Sequence, residues 1–157
     1  MATICGFWYY YFEFEKWALS LIAVQPGNLS KKGADKGIDG NLYFGAKSAG
    51  RGIVSVKAGD NVGVAMIRDL RGVMMREGAQ VGVFLTLTEP SRPMITEAAG
   101  AGLCEIAGFA AVPCIQIVTI GQAMALRDRA VRLPARLDMF KKAAREADGT
   151  RQGRMDL

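Results

Sequence analysis

The apolar residues of this chain recur first at helical and then at strand spacing. Near the start of the chain, intervals of three and four residues separate Phe14, Trp17, Ala18, Leu21 and Ile22. This spacing predicts an amphipathic helix of about three turns, which Pro26 and Gly27 are expected to end. The polar stretch from Leu29 to Gly37 that follows predicts a loop.

Two short apolar segments separated by a Gly- and Ser-rich turn predict a β-hairpin. The first strand is expected over Ile38–Phe44, the turn over Ala46–Gly52 and the second strand over Ile53–Val56. The run Gln80–Leu87 is continuously apolar, which is typical of a strand buried on both faces. We therefore predict that the hairpin is antiparallel and that Gln80–Leu87 adjoins it in the same sheet.

Helices and one further strand are predicted for the rest of the chain. They are a helix from an N-cap at Asn61 to Glu77, a helix from Ser91 to Gly102, a strand over Cys114–Val118, a helix from the N-cap Thr119 to Leu126, and a last helix over Leu137–Ala147. This order predicts an α/β sandwich in which helices flank a mixed central sheet of four to five strands.

Length and charge leave the function open. A chain of 157 residues has the usual size of one domain with its own core. Half of the residues are apolar, 22% are charged and the net charge is +5. The basic excess, which is strongest after Leu126, fits an anionic partner, although solubility alone explains such a charge equally well.

The chain contains no histidine, which excludes several classes of enzyme and metal site. The excluded classes are Ser-His-Asp hydrolases, Cys-His proteases, Cys2His2 zinc sites and nucleases with a histidine-bound metal. Cys5, Cys104 and Cys114 form no CxxC pair and are expected to be reduced thiols. The aromatic start lacks the early positive charge of a signal peptide, and no run of about 18 uncharged apolar residues follows. We therefore expect a cytoplasmic protein without a membrane segment.

Asp39 and Lys57 are the residues whose placement points to a reaction. Asp39 lies near the head of the first hairpin strand, between Ile38 and Gly40, and Lys57 directly follows the second strand. In a hairpin these two side chains can converge at one end of the sheet. Phosphodiester hydrolysis uses a carboxylate that holds a divalent cation and a lysine near the attacking water. The alternative interpretation is a turn aspartate and a solvated lysine in a plain surface ion pair.

The motifs GIDG and VSVK, one hairpin apart, resemble the core of the PD-(D/E)xK nuclease superfamily in its Mrr-like branch. The segments FEKWALSLI, KKGADKGIDGNLYF and IVSVKAGDNVGVAMIRDLRGVM are similar to the restriction-endonuclease-like domain attached to site-specific DNA methyltransferases. The resemblance covers roughly Phe12 to Leu126. It implies an aromatic N-terminal extension over 1–12, a restriction-endonuclease-like sandwich domain over 13–126, and a basic C-terminal helix and tail over 127–157.

The resemblance also implies a role for each residue of the motif. Asp39 would bind Mg²⁺ or Mn²⁺ with help from Glu15, which is preferred to Glu13 because it directly precedes the KWALSLI pattern. Lys57 would orient the attacking water and stabilise charge on the phosphate. The candidate contacts to DNA phosphate are Lys31, Lys32, Lys36, Arg68 and Arg71.

Ser55 departs from the family's pattern. It stands where the superfamily has a second acidic or amide residue, and a neutral hydroxyl is a poor ligand for magnesium. The alternatives for the second protein ligand are the carbonyl of Val56, Glu15 or a bridging water. The candidate catalytic residues are therefore Asp39, Lys57, Glu15 and Ser55, of which only Ser55 carries no charge.

Three functions remain open on the sequence alone. The favoured one is a metal-dependent endonuclease that hydrolyses double-stranded DNA in a restriction–modification or defence context. Its expected partners are an associated DNA methyltransferase and a second copy of the chain, because a double-strand cut needs two sites. The second function is a catalytically inactive DNA-binding or dimerisation module of the same fold. The third is a small-molecule-binding α/β domain unrelated to nucleic acid.

Overall fold

The computed structural model describes residues 4–26, 37–45, 50–106 and 108–134. In these ranges the helices are α1 Ile4–Leu21, α2 Val64–Glu77, α3 Arg92–Gly100 and α4 Ile120–Leu126. The strands are β1 Gln25–Pro26, β2 Gly40–Phe44, β3 Gly50–Lys57, β4 Val81–Thr86, β5 Leu103–Cys104, β6 Val112–Pro113 and β7 Ile115–Thr119. A 3₁₀ turn over Arg127–Ala130 follows α4.

Five strands form one mixed sheet in the order β1-β2-β3-β4-β7. β2 and β3 pair antiparallel, with Gly40 opposite Val54 and Phe44 opposite Gly50. A side chain at Gly50 would collide with the ring of Phe44, so glycine lets the two strands pair closely. β4 pairs parallel with β3, and β7 pairs parallel with β4. The predicted antiparallel hairpin, its adjoining strand and the mixed α/β sandwich are therefore confirmed.

Helices cover both faces of the sheet, which gives the domain two apolar layers. Val54 and Val56 of β3 pack with Ile22, directly after α1, on one face, whereas Ile53 packs with Ile67 of α2 on the other. All six residues of β4 are buried, as predicted for a strand covered on both faces. Because side chains alternate along a strand, the odd-numbered residues of β3 point toward α2 and the even-numbered ones toward α1.

α1 begins at Ile4 and has 18 residues, so it is longer than the three turns that the apolar spacing predicts. It includes the aromatic residues near the start of the chain. A stripe at helical spacing runs along it through Tyr11, Glu15 and Ala18 to Ile22, the residue after the helix, and the last two are buried against the sheet. Residues at these intervals share one helix face. From Tyr11 onward, the face that α1 turns to the sheet is therefore polar at Tyr11 and Glu15 and apolar at Ala18 and Ile22.

The predicted N-cap of α2 is wrong. The helix begins at Val64, and its N-cap is Gly63, which is extended and makes no side-chain capping bond. Asn61 is exposed two residues earlier. Val62 and Val64 pack against the core on the α2 face, so tertiary packing rather than a side-chain cap fixes where the helix starts.

A side chain of β7, Gln116, is hydrogen-bonded to the chain that follows α4. The Arg132 N–H donates to Oε1 of Gln116 at 2.8 Å, and Nε2 of Gln116 donates to the Arg132 carbonyl at 2.9 Å. At the carboxyl end of β7, Thr119 caps α4 in a capping box with Gln122, which confirms the predicted cap. Val131 is buried in the core on the α1 face, so the segment after the 3₁₀ turn packs as part of the domain.

Some predictions fall outside the described residues, namely those for Lys31, Lys32, Lys36 and the helix over Leu137–Ala147. Cys104 and Cys114 are free thiols, as predicted. Among the helices in the described ranges, none is both long and apolar enough to cross a membrane.

Candidate active site

Asp39 directly precedes β2 and continues its pairing with β3. Its N–H donates to the Val54 carbonyl at 2.9 Å, and the Val56 N–H donates to its carboxylate Oδ2 at 2.7 Å. Gly37, at a φ of 83°, supplies the left-handed residue through which the chain turns into the strand. The half-buried carboxylate is therefore fixed at the end of the hairpin by the backbone of the neighbouring strand.

The backbone carbonyl of Val56 faces the same side as Asp39. The N–H and C=O of one strand residue point the same way, and the Val56 N–H points to the Asp39 carboxylate. Val54 is the last residue of β3 that has a partner on β2. The Val56 oxygen therefore lies beyond the end of β2, where it can share a cation with the Asp39 carboxylate.

Glu15 reaches this end of the sheet from α1. Desolvation by burial and, next in size, the negative charge of Asp39 raise the pKa of Glu15 from 4.5 to about 7, against the lowering effect of Lys57. Charges act on one another in this way only when they are close. Glu15, Asp39 and Lys57 belong to three different segments of the chain, and the fold brings them together.

Tyr11 is a further side chain of this site, and the sequence analysis missed it. Its hydroxyl donates a hydrogen bond to the carboxylate of Glu15, one turn later on α1. Burial, followed by the charges of Glu15 and Asp39, raises the pKa of Tyr11 above its ordinary 10.0. The phenol therefore keeps its proton and remains a donor at neutral pH. The signal in the sequence is the spacing of four residues between Tyr11 and Glu15, on the same stripe as Ala18.

Ser55 and Lys57 point toward α2 and line a cleft of about 710 Å³ between β3 and that helix. Ser55 is only 5% exposed and pairs with Phe84 in the strand register. Lys57 is the last residue of β3 and is half-buried. It lines the cleft and also acts on the pKa of Glu15. Lys57 thus connects the cleft with the two carboxylates at the end of the sheet.

The α2 wall of the cleft carries the basic residues Arg68 and Arg76 together with Asp69. Nε of Arg68 lies 3.3 Å from Oε2 of Glu97, but the Arg68 side chain is 66% exposed. An ion pair in such an exposed position contributes little to stability, so Arg68 can exchange Glu97 for another anion. Arg71 is exposed on the same helix but does not line the cleft. Of the two predicted arginine contacts, the structure brings Arg68 to the cleft and leaves Arg71 outside.

The oxygen atoms at the end of the hairpin suit a hard divalent cation. The carboxylates of Asp39 and Glu15 and the carbonyl of Val56 are ligand types that Mg²⁺ and Mn²⁺ prefer. Repulsion between the two carboxylates contributes to the raised pKa of Glu15, and a cation between them would relieve it. In the part of the chain that the structure describes, no group of three or more His, Cys, Asp or Glu side chains could hold a metal ion. Ser55 adds no third carboxylate.

The site agrees with what a comparison with known families finds. Residues 11–107 match the family model Mrr_cat, whose description is restriction endonuclease. The matched range begins at Tyr11 and includes Glu15, Asp39, Lys57 and the cleft formed with α2. None of the curated proteins compared with the chain matches it.

Proposed function

We propose that this chain, which belongs to the Mrr_cat family of restriction endonucleases, hydrolyses phosphodiester bonds of double-stranded DNA with the help of a divalent metal ion. The observation that carries the proposal is the convergence of Glu15, Asp39 and Lys57 at one end of the sheet. Two carboxylates and a lysine supply the charges that this hydrolysis needs.

Asp39, Glu15 and the Val56 carbonyl hold Mg²⁺ or Mn²⁺ in this proposal. When bound, the cation polarises the phosphate and lowers the pKa of a coordinated water. Asp39 offers a carboxylate in a fixed position, because the Val56 N–H holds one of its oxygens. Glu15 offers the second carboxylate, and a nearby positive charge favours its deprotonated form.

Lys57 acts on water and phosphate rather than on the cation. Its ammonium donates hydrogen bonds to a phosphate oxygen and so stabilises the charge that develops in the transition state. A DNA strand in the cleft would place its backbone against Lys57 on one wall and against Arg68 and Arg76 on the other. Contacts of this type orient the duplex without reading its sequence.

We extend the proposal to a restriction or related defence context in the cytoplasm. Cutting both strands of a duplex requires two active sites, so a homodimer on DNA is the expected working form. Protection of the cell's own DNA requires modification, for which an associated DNA methyltransferase is the expected partner. Lys31, Lys32 and Lys36, in the loop before Asp39, remain proposed contacts to the DNA backbone.

Ser55 favours a second candidate function, a DNA-binding module of the same fold that does not cut. The residue is buried and neutral where the family pattern has an acidic or amide side chain. With one charged ligand fewer, the site binds a cation more weakly. This candidate retains salt-sensitive DNA binding through the cleft but predicts no cleavage in the presence of metal.

Nicking of supercoiled plasmid in Mg²⁺ or Mn²⁺ separates these two functions. We expect cleavage by the wild type and a loss of at least about 100-fold in both Asp39→Asn and Lys57→Ala. Asparagine keeps an acceptor for the Val56 N–H, so Asp39→Asn removes the charge without removing the hydrogen bond. Asp60→Asn is the matched control, because Asp60 is exposed after the end of β3.

The two active-site variants should differ in metal binding. Asp39→Asn should lose Mn²⁺ affinity, whereas Lys57→Ala should retain it, since the lysine does not ligate the cation. DNA binding without cleavage by the wild type, at any Mg²⁺ or Mn²⁺ concentration, would favour the non-cutting module. Equal cleavage by the wild type and Asp39→Asn would contradict the proposed site.

A further inference from the structure

The sheet-facing stripe of α1 changes from polar to apolar between Glu15 and Ala18. Ala18 and Ile22 are fully buried, whereas Glu15 and Tyr11, which lie one and two turns before Ala18 on the same stripe, are half-buried polar residues. Polar side chains on a core-facing stripe need partners of their own. The partner of the Tyr11 hydroxyl is the Glu15 carboxylate.

This hydrogen bond has a geometric consequence for Glu15. A glutamate side chain has several rotatable bonds, and a carboxylate that nothing holds samples many orientations. The phenol lies on a rigid ring at a position four residues before Glu15 on the same helix, so it holds one carboxylate oxygen relative to the helix axis. Residues that hydrogen-bond a metal ligand in this way orient the ligand and raise metal affinity.

We propose that Tyr11 is a positioning residue for the metal site, which acts by holding Glu15 toward Asp39 and the Val56 carbonyl. This inference rests on the proposed metal-dependent function. Tyr11 touches neither DNA nor the cation in this arrangement. Its effect passes through Glu15 alone.

Mn²⁺ titration of the full chain without DNA, with free Mn²⁺ measured by electron paramagnetic resonance, tests the inference. Tyr11→Phe removes only the hydroxyl, and we expect Mn²⁺ affinity to fall by about 10–100-fold. Tyr10→Phe is the matched control, because Tyr10 is 73% exposed on the same helix. This control should bind Mn²⁺ like the wild type.

A double-mutant cycle separates positioning from general damage. If Tyr11 acts through Glu15, then Tyr11→Phe combined with Glu15→Gln should bind Mn²⁺ no more weakly than Glu15→Gln alone. In the cleavage assay, Tyr11→Phe should lose rate at low Mn²⁺, regain it at high Mn²⁺ and keep the wild-type KM for DNA.

The outcomes distinguish this inference from the proposed function beneath it. If the wild type binds Mn²⁺ and Tyr11→Phe binds it equally well, the inference is wrong and the proposed function stands. If the losses of Mn²⁺ affinity in the two single variants add in the double variant, Tyr11 has a merely structural role and the inference is wrong. The same conclusion follows if the Tyr11→Phe protein is unfolded without metal. If the wild type itself binds no Mn²⁺, the metal-dependent function is wrong and the inference falls with it.

Discussion

Replacing Glu15 by glutamine is expected to stabilise the metal-free protein at pH 8 and to change its stability little at pH 5. Burial and the charge of Asp39 raise the pKa of Glu15 to about 7 in the folded protein, compared with an ordinary value of 4.5. Between these two values the folded state binds more protons than the unfolded state, so stability falls as the pH rises. The destabilisation by the charged Glu15 carboxylate is therefore absent well below pH 4.5 and complete above about pH 7. Glutamine carries no charge, so Glu15→Gln removes this destabilisation.

The magnitude follows from the two pKa values. Without screening by water, the charged Glu15 carboxylate would lower the free energy of unfolding at pH 8 by about 3 kcal/mol, since a tenfold difference in proton affinity is worth about 1.4 kcal/mol. Glu15 is only half-buried, and water screens part of the interaction. We therefore expect Glu15→Gln to raise the free energy of unfolding by about 1–2 kcal/mol at pH 8 and by only about 0.3–0.5 kcal/mol at pH 5.

Urea unfolding at the two pH values, in the presence of a chelator, measures this difference. Glu13→Gln is the matched control, because Glu13 is an exposed glutamate on α1 whose carboxylate lies 3.4 Å from the Lys16 ammonium. It should show no stabilisation at either pH. The reasoning is refuted if Glu15→Gln is no more stable than the wild type at pH 8, or if it stabilises equally at both pH values. Added Mn²⁺ should reverse the order, because the wild type gains more stability from a ligand that it binds more tightly.

Two further predictions concern Ser55 and the cleft between β3 and α2. Ser55→Glu is expected to tighten Mn²⁺ binding by adding a carboxylate ligand. Calorimetry tests this expectation, with the variant Ser55→Gln, which has the same shape but no charge, as the control. Equal Mn²⁺ affinity in both variants and the wild type would exclude Ser55 from the metal site. DNA binding is expected to weaken steeply as the salt concentration rises. Arg68→Gln should reduce the slope of log affinity against log salt concentration by about one. Arg71→Gln, on the same helix but outside the cleft, should leave this slope unchanged. Fluorescence anisotropy with a duplex oligonucleotide measures these slopes, and identical slopes for all three proteins would argue against the cleft as the DNA contact.

The hairpin and its charged pair could be predicted because local patterns determine them. A glycine-rich turn between two short apolar segments indicates the two strands, although β3 begins at Gly50 rather than at the predicted Ile53, and Asp39 and Lys57 lie at the same end of the hairpin. The same holds for Thr119, whose side chain caps the helix that it precedes. In each case the interaction that decides the structure joins residues close together in the sequence.

Features that depend on packing between distant segments could not be predicted in this way. The proposed role of Tyr11 depends on how α1 lies on the sheet, since only that placement brings Glu15 next to Asp39. The start of α2 depends on the burial of Val62 and Val64 beside it. β1, β5 and β6 have two residues each, which is too short for an alternating pattern to show.

The β1 edge of the sheet bears on how copies of this protein can associate. An open edge normally offers its backbone groups to a strand of another molecule. In the described residues, β1 contains only Gln25 and Pro26, and proline has no N–H to donate. This short edge is therefore a poor template for joining two sheets into one. The proposed homodimer is thus not expected to join its two sheets through β1, so its two sites need not be related by a shared sheet.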